Sequence, residues 1–118
     1  MNKLKIYHCP TCHNIIADYG NAKLDCCESP LSALTIQKGE MGDSHSPIIE
    51  DCDGEWFVKF DHSMDKGHHL AAVFIETYDR LLHVRLFPEQ EASLHLHPTH
   101  HAKIYVVCSS EGVFVYDV

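Results

Sequence analysis

The sequence predicts an all-β protein in two parts, a small N-terminal module over residues 1–38 and a β-sandwich or barrel over residues 39–118. Three observations support this. Short strand-like segments, cut by turn signals, fill the chain after residue 45. No segment has a long apolar stripe at helical spacing, so little helix is expected. Four cysteines, Cys9, Cys12, Cys26 and Cys27, crowd into an N-terminal stretch too short to hold a core without a metal ion.

In chain order, Lys5-Ile6-Tyr7 and Asn14-Ile15-Ile16 are short strand-like pieces around the cysteines. Gln37-Lys38-Gly39-Glu40-Met41-Gly42-Asp43-Ser44 is polar and glycine-bearing, and reads as a linker. Glu55-Trp56-Phe57-Val58-Lys59-Phe60 is rich in aromatic and β-branched residues, the composition of a strand. Leu70 to Thr77, Leu81 to Phe87, Lys103 to Val107 and Gly112 to Tyr116 follow the same pattern. Turn signals at Asp53-Gly54, Lys66-Gly67, Tyr78-Asp79-Arg80, Pro88 and Pro98 separate them.

A chain of 118 residues fits one compact domain with a small appendage, and 45% apolar residues supply a real but modest core. No apolar run approaches the roughly 20 residues that span a bilayer. Met1-Asn2-Lys3-Leu4-Lys5 lacks the apolar stretch of a signal peptide, so a cytoplasmic protein without membrane contact is expected. A formal charge of −8 argues against nucleic acid, whose binding is driven by clustered Lys and Arg. The unusual feature is 6 Cys and 11 His. Disulfides are rare in a reducing cytosol, so thiols and imidazoles in such numbers read as metal ligands.

Cys9-Pro10-Thr11-Cys12 is a knuckle whose turn aims both sulfurs at one point and leaves backbone amides to hydrogen-bond them. Cys26-Cys27 supplies the second pair. Neighbouring side chains normally diverge, so both can reach one ion only where the backbone kinks, and the angle they subtend at the metal should open beyond tetrahedral. Zinc and iron both suit four thiolates. A structural ion does not need adjacent cysteines, whereas a redox iron could use the distortion.

Imidazoles and one thiol also gather where a sandwich collects its loops. They are His45 in Asp43-Ser44-His45-Ser46-Pro47, His62 in His62-Ser63-Met64, His68 and His69 after Gly67, and Cys108 in Cys108-Ser109-Ser110-Glu111-Gly112. Here the chain resembles desulfoferrodoxin, the two-iron form of superoxide reductase, over essentially its whole length. Tyr7 to Ile16 followed by Cys26-Cys27 resembles that family's desulforedoxin-like module, which holds a distorted tetrahedral iron. His45-Ser46-Pro47-Ile48-Ile49-Glu50 matches its H-x-P-x-I-E element. His62-Ser63-Met64 with His68 matches H-P-M-x-x-x-H, with Ser63 in place of proline, and Cys108 to Gly112 matches C-N-x-H-G. Their order and spacing together are specific.

The resemblance implies an immunoglobulin-like β-sandwich and a second iron held by equatorial histidines and an axial cysteine, with an open position for superoxide. His45, His62 and His68 would be equatorial ligands and Cys108 the axial one. It further implies reduction of superoxide to hydrogen peroxide, an external electron donor such as a rubredoxin-like protein, and a homodimer. Two departures touch this site. Glu111 stands where the family has its fourth histidine, and a carboxylate there stabilises iron(III). Ser44 replaces the lysine that attracts superoxide, and Asp43 replaces the glutamate that can fill the open position. Lys66 and His69, close in sequence, are candidates for the missing positive charge.

Three functions follow as alternatives. The first is a superoxide reductase-like iron enzyme. The second is an electron carrier using only the four-cysteine iron beside a degenerate second site. The third is a structural protein with zinc in the four-cysteine site and an empty second site. The His95-Leu96-His97-Pro98-Thr99-His100-His101 stretch reads as a polar strand edge and turn, and Cys52 as a free thiol in a turn. His8 and His13 shield the knuckle, and Trp56 belongs to the core.

Overall fold

The computed structural model describes residues 3–20, 23–98 and 101–118, which form twelve strands and no helix. Among the described residues, no helix is long and apolar enough to cross a membrane. The chain divides into two compact units, Met1–Thr35 and Ile36–Val118.

In the first unit, β1 (Lys5–His8) pairs antiparallel with β2 (Ile15–Asp18), with His8 opposite Ile15. A second, minimal hairpin joins β3 (Asp25–Cys26) to β4 (Ser29–Pro30). The Leu31 N–H donates to the Leu24 carbonyl at 2.8 Å, and the Leu34 N–H to that of Ile6 at 2.8 Å, tying the segment back to β1. Isolated two-stranded hairpins are marginal in water, so this unit needs another organiser.

The second unit is a β-sandwich. One sheet has the order β10-β7-β6, from β6 (Pro47–Cys52), β7 (Glu55–Phe60) and β10 (Ser93–Leu96). The other has five strands in the order β5-β12-β11-β8-β9. These are β5 (Ile36–Lys38), β8 (Leu70–Glu76), β9 (Leu81–Arg85), β11 (Lys103–Cys108) and β12 (Gly112–Asp117). Alternate residues of both sheets meet in one core: Val58, Phe60 and Leu94 from the first, and Val73, Ile75, Ile104, Val106 and Tyr116 from the second. Each such side chain contributes roughly 1.5–3 kcal/mol by leaving water. Trp56 packs against this core, as its composition suggested.

Residues 36–38, read with the first segment, instead run parallel to β12 with Ile36 opposite Val113, so they belong to the sandwich. Pairing, which composition does not reveal, decides this. The rest of the expected linker forms turns over residues 41–45. The irregularity with most bearing on the site lies between Val107 and Cys108. Val107 faces Ala72 but Cys108 faces Leu70, so Ala71 is skipped. Such a bulge re-aims the side chain at the strand end.

Candidate metal centres

The four cysteine sulfurs of the first unit lie within 4.8 Å of one another. Cys9 and Cys12 sit in the β1–β2 loop, which is closed by Cys9 N–H to the Asn14 carbonyl at 2.9 Å and His13 N–H to the Cys9 carbonyl at 2.8 Å. His13 reaches this turn at φ 62. Cys27 and Glu28 form the two-residue β3–β4 loop with φ 52 and 64, the paired positive φ values of a tight hairpin turn. That turn is the kink that adjacent cysteines require. The Sγ atoms of Cys26 and Cys27 are 3.9 Å apart, against 3.5 Å for Cys12 and Cys26. Tetrahedral thiolates at bond lengths of about 2.3 Å would stand roughly 3.8 Å apart, so the four sulfurs fit one ion.

Backbone N–H groups of Cys12 and Thr11 stabilise the Cys9 thiolate and bring its pKa down to about 6, against the opposing effect of burial. The sulfurs of Cys12 and Cys9 push Cys26 up to about 12 and raise Cys27 as well. Four crowded thiols cannot all ionise without a cation among them. His8 Nε2 and His13 Nδ1 are 3.3 Å apart beside the knuckle and are outside the sulfur group.

In the second unit, ligand atoms of His45, His62, His68, Cys108 and Glu111 also converge within 4.8 Å of one another. The residues come from four places in the chain. His45 ends the 41–45 turns, His62 and His68 lie in the loop before β8, Cys108 ends β11 at the bulge, and Glu111 lies in the β11–β12 turn. The last two loops are laced together: Ser109 N–H donates to the His69 carbonyl at 2.8 Å, and His69 N–H to Ser109 Oγ at 3.0 Å.

The His45 and His62 rings are oriented from their far sides. His45 is 4% exposed and stacks on Phe114, with centroids 4.2 Å apart and planes 14° off parallel. Ser44 Oγ is 3.1 Å from its Nδ1. His62 Nδ1 stands 2.6 Å from the Ser63 carbonyl, which fixes a proton there and leaves Nε2 a lone pair. That Nε2 is 3.9 Å from Cys108 Sγ. Burial first, then the nearby His45 and His68, lower the His62 pKa, so the ring is held neutral, as a ligand must be. Nε2 of both His45 and His68 is buried without a hydrogen-bond partner, although Glu111 Oε1 is only 3.7 and 2.8 Å away. Buried nitrogens that lack a hydrogen-bond partner and point at a shared centre are suited to hold a metal ion. Nitrogen ligands at about 2.1 Å would be up to roughly 4.2 Å apart across an ion, which this group accommodates.

Asp43 and Lys66 are placed elsewhere. Asp43 Oδ1 accepts from the Tyr116 hydroxyl at 2.6 Å and from the His45 N–H at 2.9 Å, and its Oδ2 accepts from the Glu40 N–H at 3.0 Å. Desolvation alone would raise its pKa, but the Tyr116, Glu40 and His45 donors hold it below the usual value. Both oxygens are therefore in use within the turn. Lys66 is 80% exposed with its Nζ 4.0 Å from Glu89, and neither residue joins the ligand group. The Ser63 hydroxyl, in the position of the expected proline, donates to Asp65 at 2.6 Å. Sequence reasoning missed Phe114, Ser109 and Tyr116, which read as ordinary strand and turn residues.

His95 stacks obliquely on its cross-strand partner Phe57 at 5.0 Å, and it forms no ligand group with His97 or His101 among the described residues. His100 lies outside the described residues. Cys52 is a free, exposed thiol at the end of β6, before a turn with Asp53 and Gly54 at φ 53 and 84.

The structure is thus an all-β protein with, among the described residues, two groups of convergent metal-ligand atoms, one of thiols only and one of mixed donors. No protein-family profile matches the chain, and no curated protein does. Among solved structures it is similar to the superoxide reductase from Treponema pallidum, at 18% identity and a TM-score of 0.80, over 98% of this chain and 99% of that one. It is also similar to the superoxide reductase from Nanoarchaeum equitans at 18% identity, over 70% of this chain and 97% of that one, with a TM-score of 0.41. The first likeness establishes the fold: the chain is built as that superoxide reductase is, and the sequence resemblance holds at this level.

Proposed function

We propose that this protein is an iron oxidoreductase of the superoxide reductase kind, in which His45, His62, His68, Cys108 and Glu111 hold the reactive iron. The observation that supports it is the convergence of these five side chains, with the His45 and His68 Nε2 atoms buried and otherwise unpartnered. That convergence also weighs against a degenerate second site. Cys9, Cys12, Cys26 and Cys27 hold the other ion, which is iron for an electron-transfer role and zinc for a structural one.

Iron, when bound, supplies the one-electron couple. The balance is one superoxide, one electron and two protons giving one hydrogen peroxide, so an external donor must return the electron. A rubredoxin-like protein fits that part, with the chain acting as a homodimer in the cytoplasm. The side chains divide the remaining work. Three neutral imidazoles, one thiolate and one carboxylate would bring an iron(II) centre close to zero net charge, so the ion itself would offer an anionic substrate little long-range attraction. Cys108, 4% exposed, keeps its sulfur away from solvent and from unwanted oxidation. Glu111, 47% exposed, lies against His68 at the solvent-facing side of the group.

Anaerobic purification followed by metal analysis tests the assignment. Two irons per chain, falling to one in a Cys108→Ala variant, is the expected result. Zinc alone, or a single iron unaffected by that change, would overturn the reading.

A further inference from the structure

The segment before His45 is exposed, with Met41 at 57%, yet His45 itself is 4% exposed and closely oriented. Something must fix a surface turn to the core. Strand β12 does so twice. Its alternation puts Phe114 and Tyr116 on one face, two residues apart. Phe114 stacks under the His45 ring at 4.2 Å. Tyr116, 1% exposed, reaches further and donates its hydroxyl to Asp43 Oδ1 at 2.6 Å. The same oxygen accepts the His45 N–H at 2.9 Å. The turn is closed by Asp43 N–H to the Glu40 carbonyl at 3.0 Å and Ser46 N–H to the Asp43 carbonyl at 3.2 Å.

Gly39 completes the device. A Cβ at this position would lie 2.3 Å from two Tyr116 ring carbons and 2.7 Å from its oxygen. The bare backbone therefore lets the phenol pass under the chain to meet Asp43, while Gly39 N–H is held by the Val115 carbonyl at 2.9 Å.

We propose that Tyr116 and Asp43 form a positioning pair that carries the order of the sandwich core to the His45 main chain, and so aims its ring at the metal. This rests on the reading of His45 as a ligand. It gives Asp43 a role as part of the frame, acting through His45. Supporting groups of this kind typically change metal affinity 10- to 100-fold when removed.

The test compares wild type with Tyr116→Phe, which keeps the ring in its slot, Asp43→Ala, and the double variant, all as the full chain. Two readouts are needed. In metal-free protein, hydrogen exchange at the His45 amide should quicken at least about 10-fold in each single variant. In anaerobic cobalt(II) titration, affinity at the His/Cys centre should fall roughly 10- to 100-fold while the four-cysteine centre keeps its own charge-transfer spectrum and affinity. The double variant should be no worse than Asp43→Ala alone, because the two act as one unit. Unchanged His45 exchange in Tyr116→Phe overturns the proposal, as does an equal loss at both centres, which marks general destabilisation. If wild type takes up cobalt only at the four-cysteine centre, the ligand assignment fails, and the amide exchange still decides the positioning.

Discussion

Glu111 Oε1 lies 2.8 Å from His68 Nε2, yet that nitrogen makes no aligned hydrogen bond. Proximity without hydrogen-bond alignment is expected of two ligands meeting at a common ion. It supports the proposal that Glu111 is a ligand despite its side chain being half exposed.

Removing the carboxylate should therefore weaken the second centre and leave the first intact. For Glu111→Ala we expect second-site metal affinity to drop by at least about 10-fold, with four-cysteine loading unchanged, in a competitive chelator titration. Glu111→His should keep the metal but raise its reduction potential, because a neutral nitrogen replaces an anionic oxygen that favours the oxidised ion. Spectroelectrochemistry reads this directly, and an unchanged or lower potential would mean that Glu111 does not bind.

Metal uptake by the four cysteines should release protons. Cys26, pushed up to about 12, and Cys27, also raised, are thiols at neutral pH in the metal-free protein. Binding must displace both protons, so affinity should fall roughly tenfold per pH unit for each proton displaced as the medium is acidified. Cys9, brought down to about 6, is already a thiolate at pH 7 and adds a further proton only below that value. Zinc titration in weakly buffered solution, read with a pH indicator, should show at least two protons released at pH 7 and a steeper dependence below pH 6.

Much of this arrangement was legible in the sequence, and what was not has a common cause. Alternation and turn residues located Glu55–Phe60, the strands after Leu70 and the absence of helix, because those signals are local. The two groups of convergent donors were legible because few other roles gather four cysteines, and because the remaining motifs resemble a known family in order and spacing. Pairing was not legible. Ile36–Lys38, read with the N-terminal module and running into the Gln37–Ser44 linker, becomes a strand through β12, a partner more than seventy residues away. The same limit hid Tyr116, whose hydroxyl partner Asp43 is 73 positions distant. Asp43 was singled out as the counterpart of the family's open-position glutamate, and Lys66 as a cation close in sequence to the site. Neighbourhood in sequence does not say which way a side chain points.

Gly39→Ala should damage the sandwich and its metal site together. The new methyl would overlap the Tyr116 ring at 2.3 Å, and overpacking of this kind costs about 1–3 kcal/mol. Urea unfolding should show the midpoint shift without a change in slope. A neutral result would mean that the ring moves aside freely.

Glu28→Gly should act in the opposite direction. Glu28 holds φ 64 in the β3–β4 turn, where a side chain is strained and glycine is not. We expect a gain of roughly 0.5 kcal/mol in the metal-loaded protein, after glycine's own entropy cost, visible as a higher thermal midpoint with the four-cysteine spectrum preserved. Loss of the spectrum would show that the Glu28 side chain itself supports the Cys27 turn.

The central claim is that the His45, His62, His68, Cys108 and Glu111 centre reduces superoxide and does not also oxidise it. Anaerobic, iron(II)-loaded protein should be mixed with substoichiometric superoxide, and hydrogen peroxide, dioxygen and oxidised iron counted. The account predicts one peroxide and one oxidised iron for each superoxide consumed, with no dioxygen. Half a peroxide per superoxide with release of dioxygen, or decay no faster than the spontaneous reaction, would contradict it.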